Sequence, residues 1–255
     1  MEATILDWGL AEKPVIVTGA SSGIGAAVAR DLGAVGASVV LVGRDEGRLT
    51  AVAADVEQTG GKAHLSYAEL TDMSAAEGVI DDALSAFGSI HGIVHSASVF
   101  DPRPLADTTF ESLEEQWKAN VAAPLFMTKA AVPHLKPGSS VVLVASTTAT
   151  VGFPGCTAYT ATKGAVIALG RALGVELAPL GIRVNTVIPG YVRTPMLQPH
   201  LDANEGYEEW IVQNTPQARI AGPEELAPNI VFMLSGLSEY VHGATLVVDG
   251  GWVAR

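Results

Sequence analysis

The chain has 255 residues, of which 48% are hydrophobic and only 16% are charged. This composition excludes intrinsic disorder, because there is ample apolar surface to bury in a core. The formal net charge is −12, which argues against nucleic acids and anionic membranes as partners, since both attract basic surfaces. We therefore expect a compact, sparsely charged globular protein.

The cysteine content and the N-terminal segment indicate a cytoplasmic protein. The single cysteine, Cys156, cannot form an internal disulfide, which is typical of a reducing compartment. Residues 1–13 carry acids where a signal peptide needs a basic start and a long apolar run. The six histidines are scattered without metal-ligand spacing, so no metal site is expected.

Seven short apolar runs rich in Val and Ile alternate with segments of helical periodicity. Runs without polar alternation are typical of strands buried on both faces, and their alternation with helices predicts βαβ crossovers. We therefore expect an α/β fold: a doubly wound, parallel seven-stranded sheet of the Rossmann type, with helices on both faces. The expected strands are residues 15–19, 37–43, 62–67, 92–97, 140–146, 182–189 and 245–251.

The alternation is interrupted once, in residues 191–223, after the sixth expected strand. This segment contains four prolines and one aromatic, acidic helix candidate at residues 202–214. In this architecture an insertion at the carboxyl end of a strand is where a lid over a ligand belongs. No linker or repeat divides the chain, so we expect one domain over residues 1–255, with residues 191–223 as the substrate lid.

A glycine-rich loop follows the first strand and opens the first helix. Gly19 permits a sharp turn, Gly23 lets the backbone approach a pyrophosphate, and Gly25 lets the helix pack closely on the strand. The helix N-terminus then offers free N–H groups to an anion. We expect a dinucleotide on this loop, with contacts from Gly19, Ser21, Ser22, Gly23, Ile24 and Gly25.

The end of the second strand is expected to lie beside the adenosine ribose. Gly43 has no carboxylate to repel a 2′-phosphate, and Arg44 can bind one in a bidentate manner. NADP(H) is therefore the favoured cofactor. NAD(H) stays open as the alternative, with Asp45 turned inward to bind the ribose hydroxyls.

Tyr159 and Lys163 are four residues apart on the amphipathic run 158–179, so they share one helix face. A lysine roughly 6 Å away stabilises a phenolate by about 3 kcal/mol at an effective dielectric constant of about 20. This predicts a lowered pKa for Tyr159, which would suit an acid/base acting on a carbonyl oxygen. Ser146 ends the fifth strand and can bind the substrate oxygen, while Asn120 can relay protons through water behind the lysine.

These motifs together resemble those of the classical short-chain dehydrogenase/reductase family. The resemblance covers residues 18–251 and rests on TGASSGIG, Asn120, Ser146, YTATK, VNTVIPGYVRTPM and VVDGG. It implies a catalytic tetrad of Asn120, Ser146, Tyr159 and Lys163, with Tyr159 as the acid/base. Further cofactor contacts implied by the resemblance are Glu69, Leu70, Ser96, Ala97, Tyr159, Lys163, Pro189, Gly190, Val192 and Thr194.

Two segments depart from the family pattern. Glu69 stands where the family usually has an aspartate that binds the adenine amine. His95-Ser96-Ala97-Ser98 stands where the family usually has Asn-Asn-Ala-Gly. Ser98 adds bulk where glycine lets the cofactor come close, and His95 is expected to be structural rather than catalytic.

The sequence therefore predicts an NADP(H)-dependent oxidoreductase that transfers hydride between the nicotinamide and a ketone or secondary alcohol. Alternatives are an NAD-dependent dehydrogenase of a cyclic or secondary alcohol, a 3-oxoacyl-[acyl-carrier-protein] reductase and a non-catalytic regulator. The complete tetrad argues against the regulator, and the acidic chain would repel an acidic carrier protein. An apolar pocket for an uncharged substrate is expected from Thr148, Phe153, Tyr191, Met196, Leu197 and Trp210, with Val99, Phe100, Val151 and Ile211 as further candidates.

The resemblance also implies a homo-oligomer, with a tetramer expected. Two local features favour it: Trp252 in the aromatic chain end has no polar cover, and the 158–179 helix is apolar on several faces. The residues on those faces are Ile167, Leu169, Leu173 and Leu177. For Cys156, a small apolar filler is favoured over a thiol that lines the substrate mouth.

Overall fold

A computed structural model describes residues 7–72 and 74–254. The N-terminal segment 1–13, for which no signal peptide is expected, is described only from residue 7 onward. Met73 and Arg255 also lie outside the described residues. Seven parallel strands form one sheet in the order β3-β2-β1-β4-β5-β6-β7, which confirms the predicted fold class. The strands are β1 (Pro14–Thr18), β2 (Ser38–Gly43), β3 (Lys62–Tyr67), β4 (Gly92–His95), β5 (Ser140–Val144), β6 (Arg183–Pro189) and β7 (Thr245–Val248).

Helices cover both faces of this sheet and bury two separate cores. The helices are α1 (Gly23–Ala34), α2 (Glu46–Gln58), α3 (Ala75–Phe87), α4 (Phe110–Trp117), α5 (Ala123–Ala131), α6 (Thr157–Leu177), α7 (Gln198–Ala203), α8 (Tyr207–Asn214) and α9 (Pro223–Leu234), with a π-helical turn at Lys118–Ala122 between α4 and α5. One face packs against α1, α2 and α9, and the other packs against α3, α5 and α6. The strands β1, β4, β5 and β6 are buried along their whole length, as expected of strands covered twice.

The strand order positions the site. The chain moves outward from β1 to β2 and β3, then returns across the sheet to β4 on the other side of β1. The order therefore reverses between β1 and β4. At such a switch point the loops diverge and leave a crevice at the carboxyl ends of the strands.

Residues 191–223 differ from the single helix candidate expected at 202–214. The chain forms two short helices there, α7 and α8, separated by residues 204–206. Gly206 has a φ of +78°, which breaks the helical path and starts α8. The expected helical structure is present, but it forms two helices rather than one, with Gly206 between them.

The two local features that favoured an oligomer have another explanation. Trp252 is only 4% exposed, because it packs on Phe153, Tyr191 and Trp210. The named apolar residues of α6 pack into the core of their own chain. The chain end and α6 thus give no local support for a tetramer, while α4 and α5 do expose the apolar rings of Phe110, Trp117 and Phe126. Among the described residues no helix is long and apolar enough to cross a membrane.

Candidate active site

A cleft of about 780 Å³ runs along the carboxyl ends of the strands. Its floor is formed by residues that directly follow β1, β4, β5 and β6, and its outer wall includes the segment from Tyr191 to Tyr207. The volume lies in the range of pockets that enclose small organic ligands.

The glycine loop forms one end of the cleft, where main-chain atoms are unusually close. Gly19 has a φ of +67°, and a Cβ there would lie 2.9 Å from the backbone of Ala97. A Cβ on Gly25 would lie 2.4 Å from the Gly19 carbonyl oxygen. Gly25 itself therefore lies behind the cleft wall, where it lets α1 pack against the loop. No side chain caps the N-terminus of α1 at Ser22, so its first N–H groups face this end of the cleft uncapped.

The same end of the cleft carries an ion pair. Arg44 Nη1 lies 3.0 Å from Glu69 Oε2, and the two side chains are 74% and 47% exposed. Burial acts to raise the pKa of Glu69, but hydrogen bonds from Thr71 and Arg44 outweigh it and lower that pKa. Asp45 is turned away from the cleft: its carboxylate accepts from the Arg48 N–H at 3.0 Å and caps α2.

The predicted acid/base lies near the centre of the cleft. The Phe100 ring packs edge-on against the Tyr159 ring, with the ring centres 4.7 Å apart, and Ser98 and Ser146 belong to the same cleft wall. Lys163 Nζ lies 5.6 Å from the centre of that ring and donates to the Val144 carbonyl at 3.0 Å. Ser146 accepts two hydrogen bonds from Thr148, at 3.2 Å from its N–H and 3.1 Å from its hydroxyl.

Burial determines the charge on this tyrosine and lysine. It raises the pKa of Tyr159 to about 12 and lowers the pKa of Lys163 to about 7, because both charged forms lose hydration. The sequence argument expected Lys163 to lower the pKa of Tyr159. In the folded protein the pKa of Tyr159 is raised instead, because the loss of hydration outweighs the lowering effect of the Ser98 and Ser146 hydroxyls. The buried Lys163 is itself only partly charged at neutral pH.

Asn120 lies behind the cleft wall and is only 1% exposed. It belongs to the π-helical turn, which widens the helix at this point. Its Oδ1 accepts from the Val99 N–H at 2.8 Å and from the Ser98 hydroxyl at 3.0 Å, and its Nδ2 donates to the Val99 carbonyl at 2.9 Å and to Thr162 at 3.0 Å. Asn120 therefore connects α6 with the loop that follows β4.

The opposite end of the cleft is aromatic. Phe153, Tyr191, Tyr207, Trp210 and Trp252, here called the aromatic cluster, contact one another through stacked and edge-on rings. The hydroxyls of Tyr191 and Tyr207 are 3.2 Å apart, and burial raises the pKa of Tyr191 above its ordinary value. This end is apolar and closed by rings, in contrast to the main-chain cradle at the other end.

Most predicted site residues lie in the wall of this one cleft. Those that do are Gly19, Ser21, Ser22, Gly23, Ile24, Arg44, Glu69, Leu70, Ser96, Ala97, Ser146, Thr148, Phe153, Tyr159, Lys163, Pro189, Gly190, Tyr191, Val192, Thr194, Met196 and Leu197. Gly25 and Asn120 lie behind the wall, and Trp210 reaches it only through Phe153 and Tyr207. Of the further candidates, Val99 and Phe100 are in the wall, whereas Ile211 is fully buried.

Several wall residues were not anticipated. His200, Asn204, Glu205 and Tyr207 come from residues 191–223, and their position depends on how α7 and α8 pack, for which the sequence carries no signal. Cys156 lines the cleft instead of merely filling space, and burial raises the pKa of its thiol. Trp252 was also missed, although it follows the VVDGG motif: Asp249 accepts from the N–H groups of Gly251 and Val253 and folds the chain end toward the cluster.

His95 is not part of the cleft wall. It is 4% exposed, its Nε2 lies 2.9 Å from Thr128 Oγ1, and burial lowers its pKa to about 3. This agrees with the structural role expected of it. Within the described residues no group of three or more His, Cys, Asp or Glu side chains is arranged to hold a metal ion.

Comparison with known proteins identifies the family. A family model described as enoyl-(acyl carrier protein) reductase matches residues 19–253. Cyclopentanol dehydrogenase of Comamonas testosteroni is 34% identical over 96% of this chain and 98% of its own length. L-rhamnose 1-dehydrogenase (NAD(P)(+)) of Azotobacter vinelandii is 36% identical over 95% and 97%. The chain belongs to the classical short-chain dehydrogenase/reductase family.

Solved structures agree with this assignment. A short-chain dehydrogenase/reductase from Brucella melitensis, described as glucose/ribitol dehydrogenase, superimposes with a TM-score of 0.90 at 33% identity, covering 97% of this chain and 99% of that one. A blue fluorescent protein from a metagenomic library, crystallised with NADPH, has a TM-score of 0.90 at 29% identity, covering 96% and 99%.

Proposed function

We propose that this protein is an NADP(H)-dependent oxidoreductase that interconverts a secondary alcohol and a ketone, with Tyr159 as the acid/base. The observation that carries the proposal is the position of the Tyr159 hydroxyl. Tyr159 lies in the cleft between the glycine loop and the aromatic cluster, with Ser146 in the same cleft wall and Lys163 beside its ring.

The residues present fit a nicotinamide dinucleotide. The uncapped α1 N-terminus suits a pyrophosphate, and the loop before it is held by the close main-chain contact of Gly19 with Ala97, which leaves no room for a Cβ. Ser96, Ala97 and the segment from Pro189 to Thr194 continue the cradle toward Tyr159. When bound, the nicotinamide supplies or accepts the hydride, and its oxidised form carries a positive charge.

The chain's own residues handle the proton. Because Ser146 accepts two hydrogen bonds from Thr148, its own hydrogen is free to donate to Tyr159 or to a substrate oxygen. In ketone reduction Tyr159 donates its proton to the carbonyl oxygen, and in alcohol oxidation it removes the hydroxyl proton. Lys163 donates a hydrogen bond to the Val144 carbonyl, which fixes its ammonium beside the Tyr159 ring. A positive charge at this position favours the Tyr159 phenolate.

NADP(H) is favoured over NAD(H) by three neighbouring residues. Gly43 offers no carboxylate, and Asp45, the acid available for ribose hydroxyls, caps α2 and pairs with Arg48 at 2.8 Å. Arg44 lies at the cleft, exposed enough to meet a 2′-phosphate. Glu69 accepts a hydrogen bond from the Arg44 guanidinium and partly neutralises its charge. We therefore expect a moderate preference for NADP(H), with use of NAD(H) retained.

The substrate end favours an uncharged, hydrophobic molecule such as a cyclic alcohol or an aryl ketone. Phe100, Phe153, Tyr191, Met196 and Leu197 give this end an apolar surface. The cyclopentanol dehydrogenase among the relatives supports a cyclic substrate.

A second candidate, a 3-oxoacyl-[acyl-carrier-protein] reductase, has the matching family description in its favour. The formal net charge of −12 and the position of Glu205 in the cleft wall argue against it, because negative charge would repel an acidic carrier.

Other features remain predictions. We predict a single domain, closure of residues 191–223 as a lid over the substrate, a cytoplasmic location and a homotetramer. Light scattering at micromolar concentration tests the tetramer. The exposed rings of Phe110, Trp117 and Phe126 are the surface that it would bury.

Tyr159→Phe tests the proposed function. The ring and its packing on Phe100 are kept while the only transferable proton is lost, so we expect turnover to fall at least about a thousandfold. Fluorescence titration with NADPH is expected to show an affinity within about twofold of the original. Retained turnover, measured at 340 nm with a panel of ketones, would assign the acid/base role to another group.

A further inference from the structure

Two tyrosine hydroxyls meet at the substrate end of the cleft. Tyr191 Oη and Tyr207 Oη are 3.2 Å apart, and both residues belong to the cleft wall. Their rings stand edge-on, at an angle of 85° and with the ring centres 6.3 Å apart. The two residues come from different segments, since Tyr191 follows β6 and Tyr207 begins α8. Neither hydroxyl has a part in the proposed proton transfer.

The neighbours of the two rings hold them in place. Tyr191 packs edge-on against Trp252 with the ring centres 4.9 Å apart, and its carbonyl accepts from the Ala221 N–H at 3.1 Å. Tyr207 is stacked on Trp210 with the ring centres 5.9 Å apart. Because both rings are packed, a group that binds their hydroxyls meets a donor that is already positioned.

The hydrogens of this tyrosine pair are not all used. Each phenol hydroxyl carries one hydrogen and can also accept. One hydrogen lies between the two oxygens, whichever residue donates it, so the other hydrogen remains available. Among the described residues, neither Tyr191 nor Tyr207 has a further hydrogen-bond partner on its hydroxyl.

Neighbouring polar side chains of this wall have other contacts. The Thr148 hydroxyl donates to Ser146 at 3.1 Å, and Asn204 donates to the His200 carbonyl at 2.8 Å. The His200 ring packs edge-on against Phe100, with the ring centres 5.2 Å apart. This leaves the tyrosine pair as an available donor among the apolar rings at this end of the cleft.

We propose that the Tyr191–Tyr207 pair binds a second oxygen of the substrate, away from the carbon that exchanges hydride. The hydrogen that the pair does not use donates to this oxygen, and the hydrogen bond within the pair polarises the donating hydroxyl and strengthens the contact. The preferred substrates are then cyclic hydroxyketones and the corresponding diols, rather than cyclic alcohols with one oxygen. The inference rests on the proposed function, because it names the substrate class of the same site.

The test compares ketones with and without the second oxygen. The probes are 2-hydroxycyclohexanone and 4-hydroxycyclohexanone, each beside the methylcyclohexanone of the same substitution pattern. A methyl group is close to a hydroxyl in size but cannot accept a hydrogen bond, so each pair isolates the second oxygen. Isothermal titration into the complex with NADP⁺ gives the affinities, and the oxidation of NADPH at 340 nm gives kcat and KM.

A double variant, Tyr191→Phe with Tyr207→Phe, removes both hydroxyls and keeps both rings. For at least one substitution pattern, we expect the affinity for the hydroxyketone relative to the methylketone to fall about three- to tenfold. The loss should appear in KM with kcat within about twofold, because the contact is equal in the ground state and the transition state. Tyr240→Phe removes the same hydroxyl from a fully exposed ring and should leave the affinity ratio unchanged.

Two results would overturn the proposal. Equal losses for hydroxyketones and methylketones in the double variant would mean that the pair only connects α8 with the segment after β6. An unchanged affinity ratio for both substitution patterns would mean that the pair does not contact the substrate. Absence of NADPH oxidation with every ketone would instead contradict the proposed function, while the separately measured affinity ratio would still decide on the tyrosine pair.

Discussion

The two ends of the cleft are built in different ways. The cofactor end is made by main-chain atoms held at close range, with Gly19 and Gly25 too near their neighbours to carry a Cβ. The substrate end is made by large side chains from distant parts of the chain, such as Phe153, Tyr207 and Trp252. A backbone cradle suits a ligand that is always the same, while a wall of side chains can change from one enzyme to the next.

This difference predicts different tolerance to substitution at the two ends. A Cβ at the cofactor end collides with backbone, which cannot move without moving a strand or a helix. A smaller ring at the substrate end changes the shape of the pocket, while the sheet beneath it stays in place.

The largest effect is expected from Gly25→Ala. The new Cβ would lie 2.4 Å from the Gly19 carbonyl oxygen, so α1 must move away from the loop that we propose as the pyrophosphate site. We expect cofactor affinity to fall at least about a hundredfold and stability to fall by about 1–3 kcal/mol. Isothermal titration with NADPH and thermal unfolding measure the two effects.

Gly78→Ala is the matched control for that substitution. Gly78 lies inside α3, and a Cβ there meets nothing within 4 Å. Alanine is a better helix former, so this variant should be more stable by about 0.5–1 kcal/mol and should bind cofactor normally. Equal behaviour of the two alanine variants would remove the distinction between the ends.

Arg44→Ala is expected to have the next largest effect. Losing a charge-assisted hydrogen bond at an exposed site should raise the KM for NADPH about tenfold and change that for NADH by less than about twofold. Arg30→Ala removes an equal charge from an exposed residue of α1 that pairs with Asp55 and lies outside the cleft wall, and it serves as the control. Equal losses for both cofactors would show that Arg44 does not select between them.

The contrast between the ends also explains what the sequence could predict. The seven strands and the glycine loop depend on local patterns, namely continuous apolarity and fixed glycine spacing, and both were placed correctly to within a few residues. Tyr159, Lys163 and Ser146 were brought to one cleft as expected because strand ends meet at one edge of a parallel sheet.

What the sequence could not predict depends on packing between distant segments. Trp252 joins Phe153 and Tyr191 only after the chain end has folded back, and no local pattern encodes that contact. The pKa of Tyr159 was expected to fall because the sequence shows a nearby lysine. It does not show that both groups are buried, and burial decides the direction.

At the substrate end, Phe153→Leu is expected to change substrate use while sparing the cofactor. It removes ring contacts with Trp252 at 5.8 Å and Tyr191 at 6.2 Å, each worth about 0.5–1.5 kcal/mol. We expect the KM for the best cyclic or aryl substrate to change about five- to tenfold, with NADPH affinity within about twofold. Tyr240→Leu, at a fully exposed ring, is the control. A comparable loss of cofactor affinity would mean that the two ends are not independent.

The smallest effect is expected from Glu69→Gln, at the ion pair with Arg44. Both side chains are substantially exposed, so the pair itself contributes about 0–1 kcal/mol. Neutralising the carboxylate leaves the full Arg44 charge to meet a 2′-phosphate, which should improve the preference for NADPH over NADH about threefold. The gain should shrink in high salt, because exposed charges are screened. Glu57→Gln, at an exposed position of α2 outside the cleft wall, controls for the general change in charge. If Glu69→Gln instead weakens NADPH binding, the carboxylate holds Arg44 in its working position, and side-chain positioning matters even at the end of the cleft that the backbone builds.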